Sequence, residues 1–492
     1  MPRVIIDGKE YYVKENSLLK ECMVKASVSL PCGGNGVCGK CKVYVNGAVS
    51  ALTEAEHRFI SETEIASGVR LACFTRVKGD CIIYTVPCSA VNICVSTKNV
   101  LPATQRSFHY GAAVDIGTTT VAAALYNDAG RCLSVASSVN PQVVYGADVL
   151  TRAQAAVNGR GQDLALAIRK CVTDVLRRLA ISANLKTEDI GSVVITGNTA
   201  MLCLVTETPV DSMLTTPFSG CRLFGEILTP LTCGIPELAD DATLYFPKCM
   251  DAFLGADFTC ALLSADVCNQ AETVLLVDIG TNGEMALWHN GRLYACSTAA
   301  GPAFEGVGVS CGMVAAEGAI DRVDVVNHRL IPHVIGGGEA RGICGSGLVD
   351  ALSCLLDTGE MDRIGVIAGD AYELTDAVSL TRDDIQSLMV SKSAICSGIE
   401  TLCHSAGTSI ADVKRLYLAG GFAQALNAHN AARIGLIPKE LEYKTTVIGN
   451  AALDGASQLL FHPDLDQLPP CNKVELATDA FFADAFIRNM LF

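Results

Sequence analysis

Two short segments of the chain repeat the same four residues, and these residue types suit the binding of a phosphate and a metal ion. The first copy runs from Asp115 to Thr118 and the second from Asp278 to Thr281, each reading Asp-Ile-Gly-Thr. The glycine leaves backbone N–H groups free to approach a phosphate closely, and nearby threonine hydroxyls can donate to its oxygens. A carboxylate at a strand end can hold hydrated Mg²⁺. Because both copies have matching surroundings, we predict two phosphate loops rather than two ordinary hairpins.

Four cysteines near the N-terminus have the spacing of an iron–sulfur site. Cys32, Cys38 and Cys41 form a C-x5-C-x2-C pattern, and Cys73 follows after a long gap. Three close thiolates and one distant thiolate are typical of a plant-type [2Fe–2S] site, although that pattern has a shorter first gap. The longer gap resembles the adrenodoxin-like branch. Zinc sites usually pair their ligands as two C-x2-C knuckles, so we predict a [2Fe–2S] cluster, with zinc or unliganded thiols as the alternatives.

Three later segments are candidates for contacts with the ligand of the phosphate loops. Gly420 and Gly421 follow an apolar run, and a glycine pair lets a flat adenosine lie against the backbone. Glu305, in a Gly/Pro loop, could orient water or metal near a terminal phosphate, or it could be an ordinary loop carboxylate. Gly345 and Ser346 precede a helix, and a helix N-terminus can take an anion. We therefore predict a nucleotide contact at this third segment.

The surroundings of the two loops predict how they are positioned. An apolar run leads into each copy and another leads out, and turns follow at Tyr126–Arg131 and at His289–Arg292. This repeated context predicts a duplicated α/β body, with a first half over residues 110–270 and a second half over residues 271–492. In the first half, residues 148–179 have helical periodicity, which predicts helical structure there.

The N-terminal part predicts a separate small domain. Residues 1–90 contain short strands, a helix before the cysteine loop and another strand after it, which indicates an α+β β-grasp fold of the ferredoxin type. Residues 91–109 are polar, contain proline and predict a linker. Within the body, scattered charge over residues 356–395 predicts an insertion. Residues 474–492 predict a final strand and helix.

The composition limits the partners and the compartment. The formal net charge is −15, so we expect no general affinity for nucleic acid or for an anionic membrane. No secretory apolar segment opens the sequence and no apolar run is long enough to span a bilayer, which favours a cytoplasmic protein. The 23 Cys then argue against a disulfide framework and favour a metal cluster together with buried thiols.

With two Asp-Ile-Gly-Thr loops and a late glycine pair, the body resembles the acetate and sugar kinase, heat-shock chaperone and actin superfamily. The resemblance implies two ribonuclease-H-like halves that bind ATP and Mg²⁺ in the cleft between them. It makes Asp115, Asp278 and Glu305 the expected catalytic carboxylates. The expected nucleotide contacts are Gly117, Thr118, Thr119, Thr120, Gly280, Thr281, Asn282, Gly283, Glu284, Gly345, Ser346, Gly420 and Gly421.

The cysteine loop followed by such a body resembles the reductive activators of corrinoid-dependent methyltransferase systems. Besides the cysteines and both phosphate loops, the segments Gly301–Gly306, Ile343–Leu348 and Ala419–Phe422 carry the resemblance. It implies that a low-potential donor, such as a ferredoxin, flavodoxin or flavoenzyme, reduces the [2Fe–2S] cluster. ATP then helps to pass the electron to a Co(II) corrinoid protein, which regenerates Co(I) for methyl transfer. Some members carry an extra domain for which residues 91–109 leave no room, so no oligomeric state is predicted.

Three other functions are compatible with the sequence. The first is an ATP-driven electron injector for another low-potential enzyme, like the activators of 2-hydroxyacyl-CoA dehydratases. Those hold one [4Fe–4S] cluster between two subunits, whereas this chain has its own four-cysteine pattern. The second is a small-molecule kinase with a redox-sensing cluster, which would phosphorylate an added substrate. The third is a chaperone-like ATP switch, which would keep its activity without the cluster.

Overall fold

The computed structural model of the protein describes residues 1–7, 9–25, 30, 34, 36, 39, 41–60, 62–85, 99–100, 108–146, 148–216, 218–220, 222–421, 423–465 and 467–492. Cys32, Cys38 and most of the predicted linker over residues 91–109 lie outside the described residues. Among the described helices, none combines the length and the apolar composition that a membrane span needs.

The N-terminal domain is built on one five-stranded sheet. Its elements are β1 (Arg3–Ile6), β2 (Lys9–Tyr12), α1 (Leu19–Lys25), β3 (Lys42–Val49), α2 (Glu62–Ala66), β4 (Val69–Leu71) and β5 (Val77–Thr85). The strand order is β2-β1-β5-β3-β4, in which β1 and β5 are parallel and all other neighbours are antiparallel. Val4, Val43, Leu71 and Ile83 fill the core below this sheet. This topology confirms the predicted β-grasp domain.

The first half of the body is built on a six-stranded sheet with the order β10-β11-β9-β6-β7-β8. Its strands are β6 (Tyr110–Ile116), β7 (Thr120–Asn127), β8 (Cys132–Val139), β9 (Ile190–Gly197), β10 (Glu226–Leu228) and β11 (Thr243–Phe246). Its helices are α3 (Val149–Ala155), α4 (Gly161–Ser182), α5 (Thr199–Val205), α6 (Pro230–Cys233) and α7 (Ala256–Ser264).

The second half has its own six-stranded sheet, with the order β21-β20-β12-β13-β14-β22. The strands of this half are β12 (Val274–Ile279), β13 (Gly283–His289), β14 (Arg292–Thr298), β15 (Ala319–Val326), β16 (Arg329–Val334), β17 (Gly342–Ile343), β18 (Ala371–Thr375), β19 (Val378–Thr381), β20 (Arg415–Ala419), β21 (Thr445–Gly449) and β22 (Cys471–Lys473). Its helices are α8 (Gly345–Thr358), α9 (Arg382–Ser405), α10 (Ala428–Arg433), α11 (Ala451–Phe461) and α12 (Ala480–Arg488).

The two large sheets share a five-stranded core, which confirms the predicted duplication. In the orders β11-β9-β6-β7-β8 and β21-β20-β12-β13-β14, the central strand is β6 or β12, which leads into the phosphate loop. Two parallel strands lie on one side of it and an antiparallel hairpin continues on the other. Asp115 lies opposite Thr196 on β9, and Asp278 lies opposite Ala419 on β20. Because parallel strands end at the same edge of a sheet, both aspartates lie at equivalent edges. The body therefore has the ribonuclease-H-like architecture that the sequence predicted.

The helical structure predicted over residues 148–179 is confirmed, and it is divided between two helices. The segment contains α3 and α4, which are separated by an irregular turn at Ala156–Arg160. In that turn Gly159 has a φ of +88°, a left-handed conformation that a right-handed helix cannot contain. Apolar periodicity continues across the turn, and for that reason the sequence pattern did not reveal it.

The predicted bounds of an insertion, residues 356–395, are wrong at both ends. Helix α9 begins at Arg382 and packs on β13 and β14, as α4 packs on β7 and β8 in the first half. The acidic residues at the start of α9 belong to a helix cap rather than to a solvent-exposed loop, since Thr381 and Asp384 form a capping box. The extra elements of this half are instead β15–β19 and α8, between β14 and α9.

Helices α7 and α11, one from each half, contact each other directly. A Cβ atom added to Gly455 of α11 would lie 1.9 Å from the carbonyl oxygen of Cys260 of α7, so the two backbones touch. Leu453 and Phe461 of α11 also pack against Ala113 and Tyr126 of the first sheet.

Candidate functional site

Two of the four predicted cluster ligands lie side by side in the N-terminal domain. The Sγ atoms of Cys41 and Cys73 are 3.3 Å apart, and both side chains are buried. Cys41 directly precedes β3 and Cys73 follows β4, which are antiparallel neighbours, with Lys42 opposite Leu71. The register of this strand pair therefore brings the thiols together. Cys32 and Cys38 lie outside the described residues.

Two of the three described glycines of the cysteine loop lie close to aromatic rings. Gly36 has a φ of +77°, and a Cβ added there would lie 2.5 Å from the ring of Phe74. A Cβ added to Gly39 would lie 2.7 Å from the ring of Phe59. These positions cannot hold a side chain without moving an aromatic neighbour. A buried thiol pair beside a close-fitting glycine loop fits the requirements of an iron–sulfur cluster.

Both Asp-Ile-Gly-Thr segments form tight turns at the ends of their strands. In the first turn the Gly117 N–H donates to the Thr120 carbonyl at 2.9 Å, and in the second the Gly280 N–H donates to the Asn282 carbonyl at 2.9 Å. Thr120 begins β7 and Gly283 begins β13, so the turns join equivalent strands. The predicted loop residues are thus gathered at the same edge of each sheet.

Side chains that the sequence did not single out hold the first turn. Asn140 Nδ2 donates to the Gly117 carbonyl at 2.8 Å, and Asn198 Nδ2 donates to Thr118 Oγ1 at 3.2 Å. Arg152 is fully buried and donates from Nη2 to the Thr118 carbonyl at 2.6 Å. Asn198 also caps α5, so its place after a strand and before a helix was an available signal.

Glu305 joins the two phosphate loops. Its Oε2 atom accepts hydrogen bonds from Thr281 Oγ1 at 2.8 Å and from Thr119 Oγ1 at 3.2 Å. The short helical turn Pro302–Glu305 is held close to the second loop, since the Gly301 N–H donates to the Thr281 carbonyl at 3.0 Å. The contact with Thr119 therefore crosses from the second half of the body to the first.

Five carboxyl groups influence one another in this region. Burial raises the pKa of Asp115 to about 8, that of Asp278 to about 7 and that of Asp257 to about 6. The charge of Asp257 adds to the first two of these shifts. Burial likewise raises the pKa values of Glu284 and Glu305. Neighbouring carboxylates in a buried site repel one another, and a divalent cation relieves that repulsion.

The donor set fits Mg²⁺ bound together with a phosphate ligand. Nowhere in the described part of the chain do three His, Cys, Asp or Glu side chains meet at the distances of a closed metal site. Mg²⁺ is usually held by one or two carboxylates together with waters and substrate phosphates, so it needs no such set. Thr196 lies level with Asp115, and its buried hydroxyl has no hydrogen-bond partner among the described residues. A polar ligand beside Asp115 would satisfy it.

Asp257 and Asn450 are the site residues at the crossing helices. Asp257 lies in the first turn of α7, and Asn450 caps α11 and donates from Nδ2 to Asp115 Oδ2 at 3.1 Å. Asp257 follows a Gly-Ala pair and Asn450 follows a glycine, each at the start of a helix. This position was the sequence signal that could have identified both residues. Neither residue was among the predicted site residues.

The glycine pair lies beside the second loop. Gly420 has a φ of +106°, and a Cβ added there would lie 2.4 Å from the Ile279 carbonyl oxygen and 2.9 Å from Asp278 Oδ1. Only glycine fits this position, whereas the position of Gly421 is open.

Gly345 and Ser346 begin α8, and both are buried. The Ser346 hydroxyl donates to the Asp321 carbonyl at 2.8 Å. Their predicted contact with the nucleotide stays a prediction.

A β-grasp domain with a buried thiol pair, followed by two ribonuclease-H-like halves with paired phosphate loops, defines an iron–sulfur protein with an actin-like ATPase body. Residues 4–78 match the 2Fe-2S iron-sulfur cluster binding domain. Residues 110–270 match the RACo middle region, and residues 272–492 match the C-terminal domain of RACo, the ASKHA domain. The chain belongs to the RACo family, and it carries an iron–sulfur domain and an ATP-binding fold.

Individual relatives agree with this assignment. The chain is 31% identical over 423 residues to the corrinoid activation enzyme RamQ of Eubacterium limosum, covering 78% of this chain and 70% of that protein. It is 25% identical over 392 residues to a reductase of the Co(II) methylated amine-specific corrinoid protein from Methanosarcina barkeri, covering 71% and 70%. A solved reductive activator for corrinoid, iron-sulfur protein superposes with a TM-score of 0.71 and 26% identity, covering 100% and 98%.

Proposed function

We propose that this chain is an ATP-dependent reductive activator, which passes an electron to a Co(II) corrinoid protein and so regenerates Co(I) for methyl transfer. The observation that carries the proposal is the presence, in one chain, of a thiol pair at ferredoxin spacing and a two-loop cleft whose hydroxyls meet at Glu305. The similarity to two proteins named for corrinoid activation and corrinoid reduction supports it.

The proposed division of labour follows the chain. Residues 1–90 hold the cluster, residues 91–109 link it to the body, and residues 110–270 and 271–492 form the two walls of the nucleotide site. When bound, the [2Fe–2S] cluster supplies one-electron chemistry, and Mg·ATP supplies binding free energy that favours one conformation of the body over another. Cys32, Cys38, Cys41 and Cys73 are the proposed cluster ligands.

In the cleft, the residues have separate proposed roles. Asp115 and Asp278 hold hydrated Mg²⁺, and Glu305 orients the attacking water. The proposed phosphate contacts are Gly117, Thr118, Thr119, Thr120, Gly280, Thr281, Asn282, Gly283 and Glu284. Gly345 and Ser346 are further proposed nucleotide contacts, and Gly420 and Gly421 are the proposed adenosine contacts. The elevated pKa values of the buried carboxyls support a cation there, because a divalent charge stabilises their ionised forms.

The electron donor that we propose is a low-potential ferredoxin, flavodoxin or flavoenzyme. The proposed place of action is the cytoplasm, where a chain with 23 Cys stays reduced.

The test is anaerobic visible spectroscopy on a methyltransferase corrinoid protein held as Co(II). The protein and a chemical reductant are added with and without Mg·ATP, and the Co(I) band is followed. We expect Co(I) to form only when ATP is present. If several corrinoid partners show no ATP effect although the cluster spectrum is intact, the proposed function is wrong.

Two variants test the division of labour. Cys73→Ala should abolish electron transfer and leave ATP binding intact, whereas Asp278→Ala should weaken ATP binding and leave the cluster spectrum intact. Cys81→Ala is the matched control for the first, since Cys81 is another buried thiol of the same domain. If either site variant loses both properties while remaining folded, the two parts do not have separate roles.

A further inference from the structure

The hydroxyl groups assigned to the phosphates of the nucleotide already have an acceptor. Thr119 and Thr281, one from each loop, both donate to the same oxygen atom, Oε2 of Glu305. A carboxylate oxygen accepts the same charge-assisted hydrogen bonds as a phosphate oxygen. Glu305 thus occupies the donors that the sequence assigned to a phosphate.

A buried positive charge lies behind the first loop. The side chain of Arg152 is 0% exposed and donates to the carbonyls of Thr118 and Gly146 and to the thioether of Met201. All three acceptors are neutral, and no carboxylate in the described part of the chain forms an ion pair with this guanidinium. A buried charge whose hydrogen-bond partners are all neutral is costly, and a nearby anion lowers that cost.

Glu305 is near enough to supply part of that negative charge. Burial lowers the pKa of Arg152 to about 10, and the charges of Asp148 and, to a smaller extent, of Glu305 counteract this shift. Arg152 and Glu305 therefore interact across the first loop, in which the Thr118 carbonyl faces Arg152 and the Thr119 hydroxyl faces Glu305. A terminal phosphate that bound these hydroxyls would compete with Glu305 for them, and its charge would repel the carboxylate.

We propose that Glu305 and Arg152 make the cleft selective for a nucleoside triphosphate: Glu305 holds the loop hydroxyls until a terminal phosphate displaces it, and Arg152 is the fixed counter-charge for either anion. A nucleoside diphosphate, which lacks the terminal phosphate, leaves Glu305 in place. The displaced carboxylate of Glu305 then lies beside the terminal phosphate, where it can orient water. This inference rests on the proposed use of ATP.

The first test compares the affinities for a non-hydrolysable ATP analogue and for ADP, both with Mg²⁺, by isothermal titration calorimetry. Glu305→Gln should tighten binding of the triphosphate analogue about tenfold, because a neutral amide is a weaker competitor for the hydroxyls. Binding of ADP should change by less than about twofold. An unchanged or lowered preference for the triphosphate would overturn the proposal.

A matched control separates displacement from general charge repulsion. Asp148 caps α3, and its charge also acts on Arg152. Asp148→Asn keeps a capping residue and removes a negative charge near the first loop, but it does not release the hydroxyls of Thr119 and Thr281. It should not increase the preference for the triphosphate. An increase equal to that of Glu305→Gln would show that the effect is only charge repulsion, and would overturn the proposed displacement.

Arg152 is tested as a positioning residue through its charge. Arg152→Met should weaken binding of the triphosphate analogue about tenfold, and Arg152→Lys, which keeps the charge, should recover part of that loss. The control is Arg169→Met, because Arg169 also donates to a backbone carbonyl, that of Val205, but lies away from the loops. If Arg152→Met binds the analogue as the wild type does, or if Arg152→Lys binds it no better than Arg152→Met, Arg152 is not the counter-charge.

The two levels of interpretation fail in different ways. Wild-type protein that binds neither nucleotide would contradict the proposed function itself. If the wild type binds both nucleotides and Glu305→Gln has the same preference for the triphosphate analogue over ADP, only the inference about Glu305 is contradicted.

Discussion

The N-terminal domain and the ATPase body each bury an arginine, and the surroundings of the two side chains differ. In the N-terminal domain Arg70 makes a two-pronged contact with Glu56, with its Nε and Nη2 atoms each 2.9 Å from a carboxylate oxygen. In the body Arg152 contacts only two carbonyls and a thioether. Both side chains are almost inaccessible to solvent, with 6% and 0% exposure.

We interpret this difference in hydrogen-bond partners as the difference between a structural charge, that of Arg70, and a charge proposed to act in ligand binding, that of Arg152. Glu56 also accepts hydrogen bonds from the backbone N–H groups of Thr53 and Leu71, so the pair in the N-terminal domain is satisfied without any ligand. Such a pair is self-contained, and removal of one partner leaves a buried charge uncompensated. Arg152 has no hydrogen-bonded carboxylate in the described part of the chain, although the charges of Asp148 and Glu305 act on it, and this arrangement supports the proposal that a bound anion is its partner.

The largest effect on stability is expected when the buried ion pair between Arg70 and Glu56 is broken. Glu56→Gln should lower the free energy of unfolding of the N-terminal domain by about 3–5 kcal/mol, because Arg70 would keep its buried charge without a partner. The measurement is denaturant unfolding of the full chain, followed by the visible absorbance of the cluster.

The control for this prediction is an exposed ion pair of the same domain. Glu64 lies 2.7 Å from Lys42, and both side chains are about one-third exposed. Glu64→Gln should cost less than about 1 kcal/mol. Equal losses for the two variants would mean that burial does not distinguish the pairs.

A smaller effect, dependent on ligand, is expected at the other arginine. Arg152→Met should reduce the stabilisation that Mg·ATP gives the body by about 1.4 kcal/mol, which corresponds to tenfold weaker binding at saturating nucleotide. The measurement is the shift of the melting temperature on addition of Mg·ATP, compared between this variant, the wild type and Arg169→Met. A wild-type shift in Arg152→Met would remove the contrast between the two buried arginines.

The smallest effect concerns pH. Burial raises the pKa of Glu56, but hydrogen bonds from Arg70, Thr53 and Leu71 outweigh burial and hold the pKa below its usual value. The pair therefore contributes its full stability above the unfolded glutamate pKa of about 4.3, and the contribution is lost as the pH falls through the lower, folded pKa. Each unit of lowering is worth about 1.4 kcal/mol. Unfolding measured across this acidic range should show the loss in wild type, and a flatter profile in Glu56→Gln.

Local patterns predicted most of the architecture. The repeated strand–bend–strand context of Asp115 and Asp278 was sufficient to predict the duplicated sheets, because each phosphate loop is formed by consecutive residues. The irregular turn at Gly159 and the true start of α9 at Arg382 were missed. In both cases one or two residues decide the structure against a longer pattern, first by a positive φ and then by a helix cap.

The site was predicted less completely, and the reason is distance along the chain. Loop residues near the repeated motif were identified, but Arg152 and Asn450 reach the first loop from separate helices. Asn450 and Asp115 are 335 positions apart, and neither residue type in isolation indicates a partner. The bridging position of Glu305 also needed the structure, because it depends on how the two loops face each other.

The contact between Gly455 and Cys260 has a mechanical consequence. With no side-chain layer between α7 and α11, the helices cannot move closer together, so we expect any relative motion of the halves to be chiefly a rotation about this crossing. In a rotation, displacement grows with distance from the fixed point. We therefore expect a small rotation at the nucleotide loops to produce a larger displacement at the outer edges of the halves. A partner bound at those edges would be displaced further than the loops themselves.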